Sequence, residues 1–173
     1  EQASMNILRE LTYDLPNHLT NVPGAYSRIA GILKRNTEEI NEILKLSTDR
    51  NKAIYEIVSN YEKLANAGSV LGNYEDSLSA EEMAVGYIKI LVDEKYPDSA
   101  QILASAYNNR GNIHHAAGKY AEAAGDYDRA ISAMEDIQDA DLSILARMAG
   151  NAATNAVSNG DVKAEDYFRY ALA

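Results

Sequence analysis

Two adjacent histidines, His114 and His115, and the Gly118-Lys119 pair shortly after them are the residues whose types and spacing could do chemistry. Histidine is a common metal ligand and acid–base group, and Gly-Lys belongs to phosphate-binding loops. Neither pattern is complete. Neighbours on a helix point about 100° apart, so the two rings do not converge on one ion, and a metal site needs three or four converging ligands. His18, far along the chain, is the only other histidine. A phosphate loop requires Gly-x-x-x-x-Gly-Lys-Ser/Thr after a strand; here Ile113 replaces the first glycine and Tyr120 the hydroxyl residue. Acid-rich stretches occur at 37–44, 74–76 and 80–82, but no Glu-x-x-His accompanies them, as a di-iron bundle demands. Glu81 and Glu82 are expected on a solvated face. No Gly-x-Ser-x-Gly elbow exists. The expectation is a non-enzymatic chain with no catalytic, metal or cofactor site.

The chemistry-bearing residues must therefore be explained by the elements that hold them. At 173 residues, with 46% apolar and 24% charged residues and only 3 prolines, the chain suits a folded, mostly helical array. Its formal net charge is −10. That balance opposes nucleic acid, whose phosphates need clustered cations, and opposes an anionic membrane surface. Residues 1–50 carry 6 basic and 7 acidic side chains and residues 51–173 carry 10 and 19, so the acid belongs to the later part. There are no cysteines, which excludes disulfides and thiolate chemistry but leaves the compartment open. No run of about 18 apolar residues is present, so direct membrane insertion is not expected. The chain opens Glu-Gln-Ala, with Met5 its first methionine, as a processed protein would. A soluble, cytoplasmic setting is the reading, with an extracytoplasmic one open.

Internal similarity organises the rest. Tyr107, Gly111, His114, Ala123, Tyr127 and Ala130 alternate large and small residues near helical spacing. They predict a helix over 100–117, a stop at Gly118 and a helix over 120–135. Tyr61, Gly72 and Tyr74 repeat Tyr107, Gly118 and Tyr120 at a shift of 46 residues. Downstream, Asn151 and Gly160 repeat Asn109 and Gly118 at a shift of 42, with Ala164, Phe168 and Ala171 opposite Ala123, Tyr127 and Ala130. A helix is predicted over 50–70 as well. Toward the N-terminus, Met5, Leu8 and Leu11 share a face, Pro23 suits a first helical turn, and Asn36 with Glu39 resembles a capping box. One helix over 24–46, or two meeting near Asn36, fits equally.

This pattern resembles the tetratricopeptide repeat, Trp-x-x-Leu-Gly-x-x-Tyr followed by Ala-x-x-x-Phe and a later proline. The middle copy offers Tyr107-x-x-Arg110-Gly111-x-x-His114 and Ala123-x-x-x-Tyr127, with Glu135 at the proline. The resemblance implies an all-α array of helical hairpins: an N-terminal helical segment at 1–49, then about three repeats near 50–95, 100–137 and 142–173. It departs from the family in repeat spacing, since 34 residues is usual, and in the first copy, where Ser77 and Glu81 replace a small and an aromatic residue. The family's concave groove, lined by first helices, would hold a protein or peptide. By resemblance Ser105, Asn108, Asn109, Asn112, His115, Asn151 and Asn155 lie on or near it, with Lys63 in the first copy. Side-chain amides suit recognition of a peptide backbone; equally, these asparagines could hydrogen-bond between neighbouring helices. His114 stands at a packing position.

Charge refines the partner. The segments 104–117 and 146–158 carry Arg110 and Arg147 but no acid. Glu122, Asp126, Asp128, Glu135, Asp136, Asp139 and Asp141 are expected on the outer face. The cation pair of a carboxylate clamp is missing, Asn108 standing in one cation's place, so an acidic C-terminal tail is not the expected ligand. The terminal Tyr-Phe-Arg-Tyr-Ala-Leu-Ala ends on an apolar face, which stacked repeats normally cover. A homo-oligomer and a regulatory module of a larger protein are the alternatives to a peptide-binding scaffold.

Overall fold

A computed structural model describes residues 44–45 and 47–172. The expectations for His18, for the faces around Met5 and Pro23 and for nearly all of 24–46 lie outside the described residues. Leu44 and Lys45 are helical, and six further helices follow, with no strand among the described residues. They are α1 (Arg50–Val70), α2 (Tyr74–Asp93), α3 (Ser99–Ala116), α4 (Tyr120–Glu135), α5 (Leu142–Asn159) and α6 (Ala164–Leu172). The architecture is all-α, as the spacing predicts. The chain forms two compact units, one up to Tyr87 and the other from Ile88 onward.

Each turn between paired helices is built around a left-handed glycine. After α3, the Gly118 N–H donates to the carbonyl of His115 at 2.9 Å and the Lys119 N–H to that of His114 at 2.8 Å. This pair of bonds satisfies carbonyls at the helix end that would otherwise lack donors. Gly118 has φ 73°, which a residue with a Cβ adopts only at a cost. Gly72 and Gly160 take the same conformation at the ends of α1 and α5, with the same two-bond pattern. The shifts of 46 and 42 residues between these stops are thus structural intervals. Helices of 21, 18 and 18 residues at α1, α3 and α5 absorb much of the length beyond a usual repeat.

Helix starts are equally local. Asp49 caps α1 by accepting from the Lys52 N–H at 3.0 Å. Asp141 caps α5, accepting from the N–H and hydroxyl of Ser143 at 2.8 and 2.6 Å. Those bonds hold its carboxyl below the ordinary aspartate range.

In the first unit, α1 buries Ala53, Ile54, Ile57, Val58, Tyr61, Leu64 and Ala65, an i, i+3, i+4 stripe. The Tyr61 and Tyr87 rings stack with centroids 6.1 Å apart. Glu81 is 1% exposed, which corrects the solvated placement expected for it. It lies four residues after Ser77 and three before Ala84, both fully buried, so helical spacing carries it onto the inner face of α2. Glu82, one position on, is exposed as expected.

In the second unit, Ala123, Tyr127, Ala130, Ile131 and Met134 of α4 form one buried cluster with Leu145, Met148, Ala149 and Ala152 of α5 and Ala104 of α3. Alanines at five of these ten positions let helix axes approach closely. Gly111 is needed for the same reason. A Cβ there would sit 2.8 Å from the Tyr127 ring. Only Tyr167 and Ala171 of α6 pack against this core, and no residue of α6 is fully buried.

Candidate functional site

Two side-chain bonds join α3 and α5 directly. The Asn151 amide donates to Asn108 Oδ1 at 2.9 Å. One helical turn further along, Asn155 donates through Nδ2 to the Tyr120 carbonyl at 2.9 Å. That bond fixes the orientation of the Asn155 amide, so its Oδ1 accepts from His115 at 3.0 Å. The arrangement requires the proton of neutral His115 on Nδ1, leaving Nε2 as its acceptor. The His115 ring meets Tyr120 edge-on with centroids 5.3 Å apart. Asn112 accepts from the Tyr127 hydroxyl at 2.8 Å. Burial and the neighbouring Asp126 charge push the Tyr127 phenol far above its usual pKa, so it stays a donor.

These bonds separate the sequence-predicted residues into two groups. Asn108 and Asn155 are each 1% exposed and join helices, which is the second role open to them from the sequence. Asn108 Nδ2 is buried with no acceptor among the described residues. Ser105, Asn109, His115 and Asn151 are half-buried, and Asn112 is exposed. Along α3 the accessible positions Ser105, Asn109, Asn112 and Ala116 form one stripe at helical spacing. Along α5, Ser143, Arg147, Asn151, Thr154 and Ser158 form another. Gly150 adjoins the α5 stripe at helical spacing, with nothing within 4 Å of where a Cβ would stand. Neither helix contains an acidic residue, and Arg147 of α5 is exposed.

An ionic cluster inside the α3–α4 hairpin was not legible beforehand. Arg110 donates through Nε and Nη2 to Asp126 Oδ2 and Oδ1 at 2.8 and 2.6 Å. Arg129 adds a bond to Oδ1 at 2.7 Å. Asp126 is 1% exposed, so its expected place on the outer face is corrected. Its carboxylate is buried because the Arg110 fork satisfies both oxygens at once. The guanidinium also lies 5.4 Å from the centroid of the Tyr107 ring. His114 Nε2 is 3.6 Å from the same carboxylate. Desolvation lowers the His114 pKa, outweighing the upward pull of Asp126; Arg110 and Lys119 also lower it, while Glu122 raises it. The signal available in the sequence was Arg110 itself, a charge standing where the repeat pattern places leucine.

Other outer acids serve α6. Asp128 accepts from the Tyr167 hydroxyl, and Glu135 accepts from Tyr170 at 2.5 Å. The Glu135 bond raises the Tyr170 pKa to about 12. Among the described residues no group of three or more histidines and carboxylates could hold a metal ion. No helix among them is long and apolar enough to cross a membrane.

This succession of glycine-stopped helical hairpins is that of an all-α helical-repeat array. Residues 104–133 match the family model for the tetratricopeptide repeat, over the segment whose Gly111, Ala123 and Tyr127 carry the packing. Such repeats typically bind proteins or peptides rather than catalyse. No curated protein matches the chain in sequence. Among solved structures, the chain is similar to BtubC (BKLC) from P. vanneervenii, at 16% identity and a TM-score of 0.41. That match covers 99% of this chain and 86% of the other.

Proposed function

We propose that the accessible face of α3 and α5 binds a protein partner through an extended, largely uncharged peptide segment. The single observation that carries this reading is the absence of any acid from both helices in a chain of net charge −10. Random placement of 26 acidic residues would not leave two 18-residue helices bare of them. Asn109, Asn112 and Asn151 supply donors and acceptors matched to a peptide backbone, and Ser105 borders them. His115 contributes an acceptor nitrogen. Asn108 and Asn155 act one layer deeper, by holding α3 against α5 so that the stripes stay in register. The open space at Gly150 admits a ligand close to the backbone.

In this reading residues 50–173 act as three repeats, near 50–95, 100–137 and 142–173, behind the segment 1–49. The chain is a scaffold without catalytic groups of its own.

The test begins with a displayed library of random peptides selected on the whole chain. A selected peptide is then titrated against the native chain and against Ser105→Arg/Asn109→Arg, which fills the stripe with bulk and charge. Binding at least tenfold weaker, with unchanged thermal melting, supports the site. Equal affinity for both proteins would rule it out.

A further inference from the structure

Arginines are the most heavily committed cations of this molecule. Arg110 and Arg129 hold the Asp126 carboxylate, Arg169 pairs with Glu165, and Arg50 is engaged as well. Arg147 is the exception. It is exposed, and it has no hydrogen-bond or ion-pair partner among the described residues. Its place is set by the two bonds that join α3 to α5. Asn108 meets Asn151 and His115 meets Asn155, so the two helices run in the same direction. One turn before the first of these bonds stand Ser105 on α3 and Arg147 on α5, at the same end of the face. Asn151 gives one Nδ2 proton to Asn108. Its second proton and its Oδ1 remain for a ligand.

We infer that Arg147 reads one acidic side chain of the bound peptide, so that the segment docked on this face carries a single Asp or Glu among uncharged residues. This rests on the α3–α5 face being the binding site, and adds a charge and its position. A guanidinium presents paired donors that match a carboxylate. Spacing sets the position. Four helical residues separate Arg147 from Asn151, about 6 Å along the axis, and two residues of extended peptide cover about 6.6 Å. The acid therefore lies two places from the residue whose backbone Asn151 holds. Charge limits the number to one. Asp98 and Asp141 stand at the starts of α3 and α5, about 10 Å before Ser105 and about 9 Å before Arg147 along the axes. Asp141 is already bonded to Ser143. A second acid placed beyond the first would run toward these two carboxylates and be repelled.

The probe is a peptide selected on the whole chain from a displayed random library and titrated by fluorescence anisotropy. Selected sequences should share one Asp or Glu at a fixed place, with no second acid beside it. Changing that residue to Asn or Gln should weaken binding to the native chain about tenfold. Arg147→Gln alters an exposed side chain and should give the same loss, with the two changes together costing no more than either alone. Arg147→Glu should instead favour a peptide with Lys at that place. Circular dichroism checks that each variant keeps its helicity. Asn109→Trp/Thr154→Trp blocks the face with bulk and leaves the charge at Arg147 unaltered. Equal binding by the native and Arg147→Gln chains, or losses that add in full, overturns the inference; if the tryptophan variant still weakens binding, the face itself stands. A library that yields no binder, or peptides indifferent to both variants, defeats the face and the inference together.

Discussion

The α3–α4 and α5–α6 hairpins have the same plan and opposite interiors. Both stop their first helix at a left-handed glycine, Gly118 or Gly160, and both continue with Ala, an aromatic and Ala at matching positions. In the first hairpin the aromatic, Tyr127, is buried, seated on Gly111 and bonded to Asn112. Beside it the Arg110–Asp126 pair is locked between the helices. In the second hairpin the aromatic, Phe168, is half exposed, and α6 is held by Tyr167, Ala171 and two tyrosine–carboxylate bonds at its edge. The repeat pattern thus sets where helices begin and end, whereas burial depends on which neighbour arrives. One position in the pattern is thus buried in the first hairpin and half exposed in the second.

The widest separation is expected from a matched pair of truncations. Tyr127→Ala removes a buried ring and should cost about 4 kcal/mol. Phe168→Ala should cost about 1 kcal/mol, as its ring is already half in water. Chemical denaturation of both variants measures the difference; similar losses would break the comparison between the hairpins.

Next in size is Arg110→Ala, which leaves the buried Asp126 carboxylate with Arg129 as its remaining arginine. A loss of about 3 kcal/mol is expected. Arg110→Leu/Asp126→Leu should recover most of it, because an apolar pair avoids the desolvation of both charges. Failure of the double variant to recover would mean that the ion pair contributes more than the register of two helices.

Glycine stops should behave alike in the two hairpins. Gly118→Ala and Gly160→Ala each place a Cβ on a left-handed residue with open space around it, so backbone strain alone acts, at about 1 kcal/mol each. Unequal losses would show that the turns are not equivalent.

The smallest effect is a pH dependence of the α3–α4 hairpin. The folded-state pKa of His114 lies below its ordinary value of 6.5, so the unfolded chain binds the extra proton more readily. Stability is then full above pH about 6.5 and falls as pH drops from there through the lower folded value. His114→Gln should flatten the change in melting temperature between pH 7.5 and 5.5. An unchanged slope would place the titrating group elsewhere.

Much of this fold could be read from spacing. The helices over 50–70 and 120–135 and the stops at Gly72, Gly118 and Gly160 are local events, set by capping and by periodic apolar residues. The positions of Asp126, Glu81, Asn108 and Asn155 were harder, because each is decided by a side chain or a helix face beyond its own segment. Asp126 is buried through an arginine 16 residues away. Asn108 is buried through Asn151, 43 residues away. Polarity predicts exposure only when no such partner exists. The absence of acids from α3 and α5 was visible at once, since composition along a helix needs no knowledge of its neighbours.

The central claim is that ligand meets the chain on the face of α3 and α5, and amide chemical-shift mapping tests it most directly. A peptide selected on the chain should, on titration, shift resonances of Ser105, Asn109, Asn112, Asn151 and Thr154 together along one saturable curve. The amides of Glu122, Arg129 and Asp136 should stay still. Shifts confined to α4 and α6, with the α3 and α5 stripes unmoved, would contradict it.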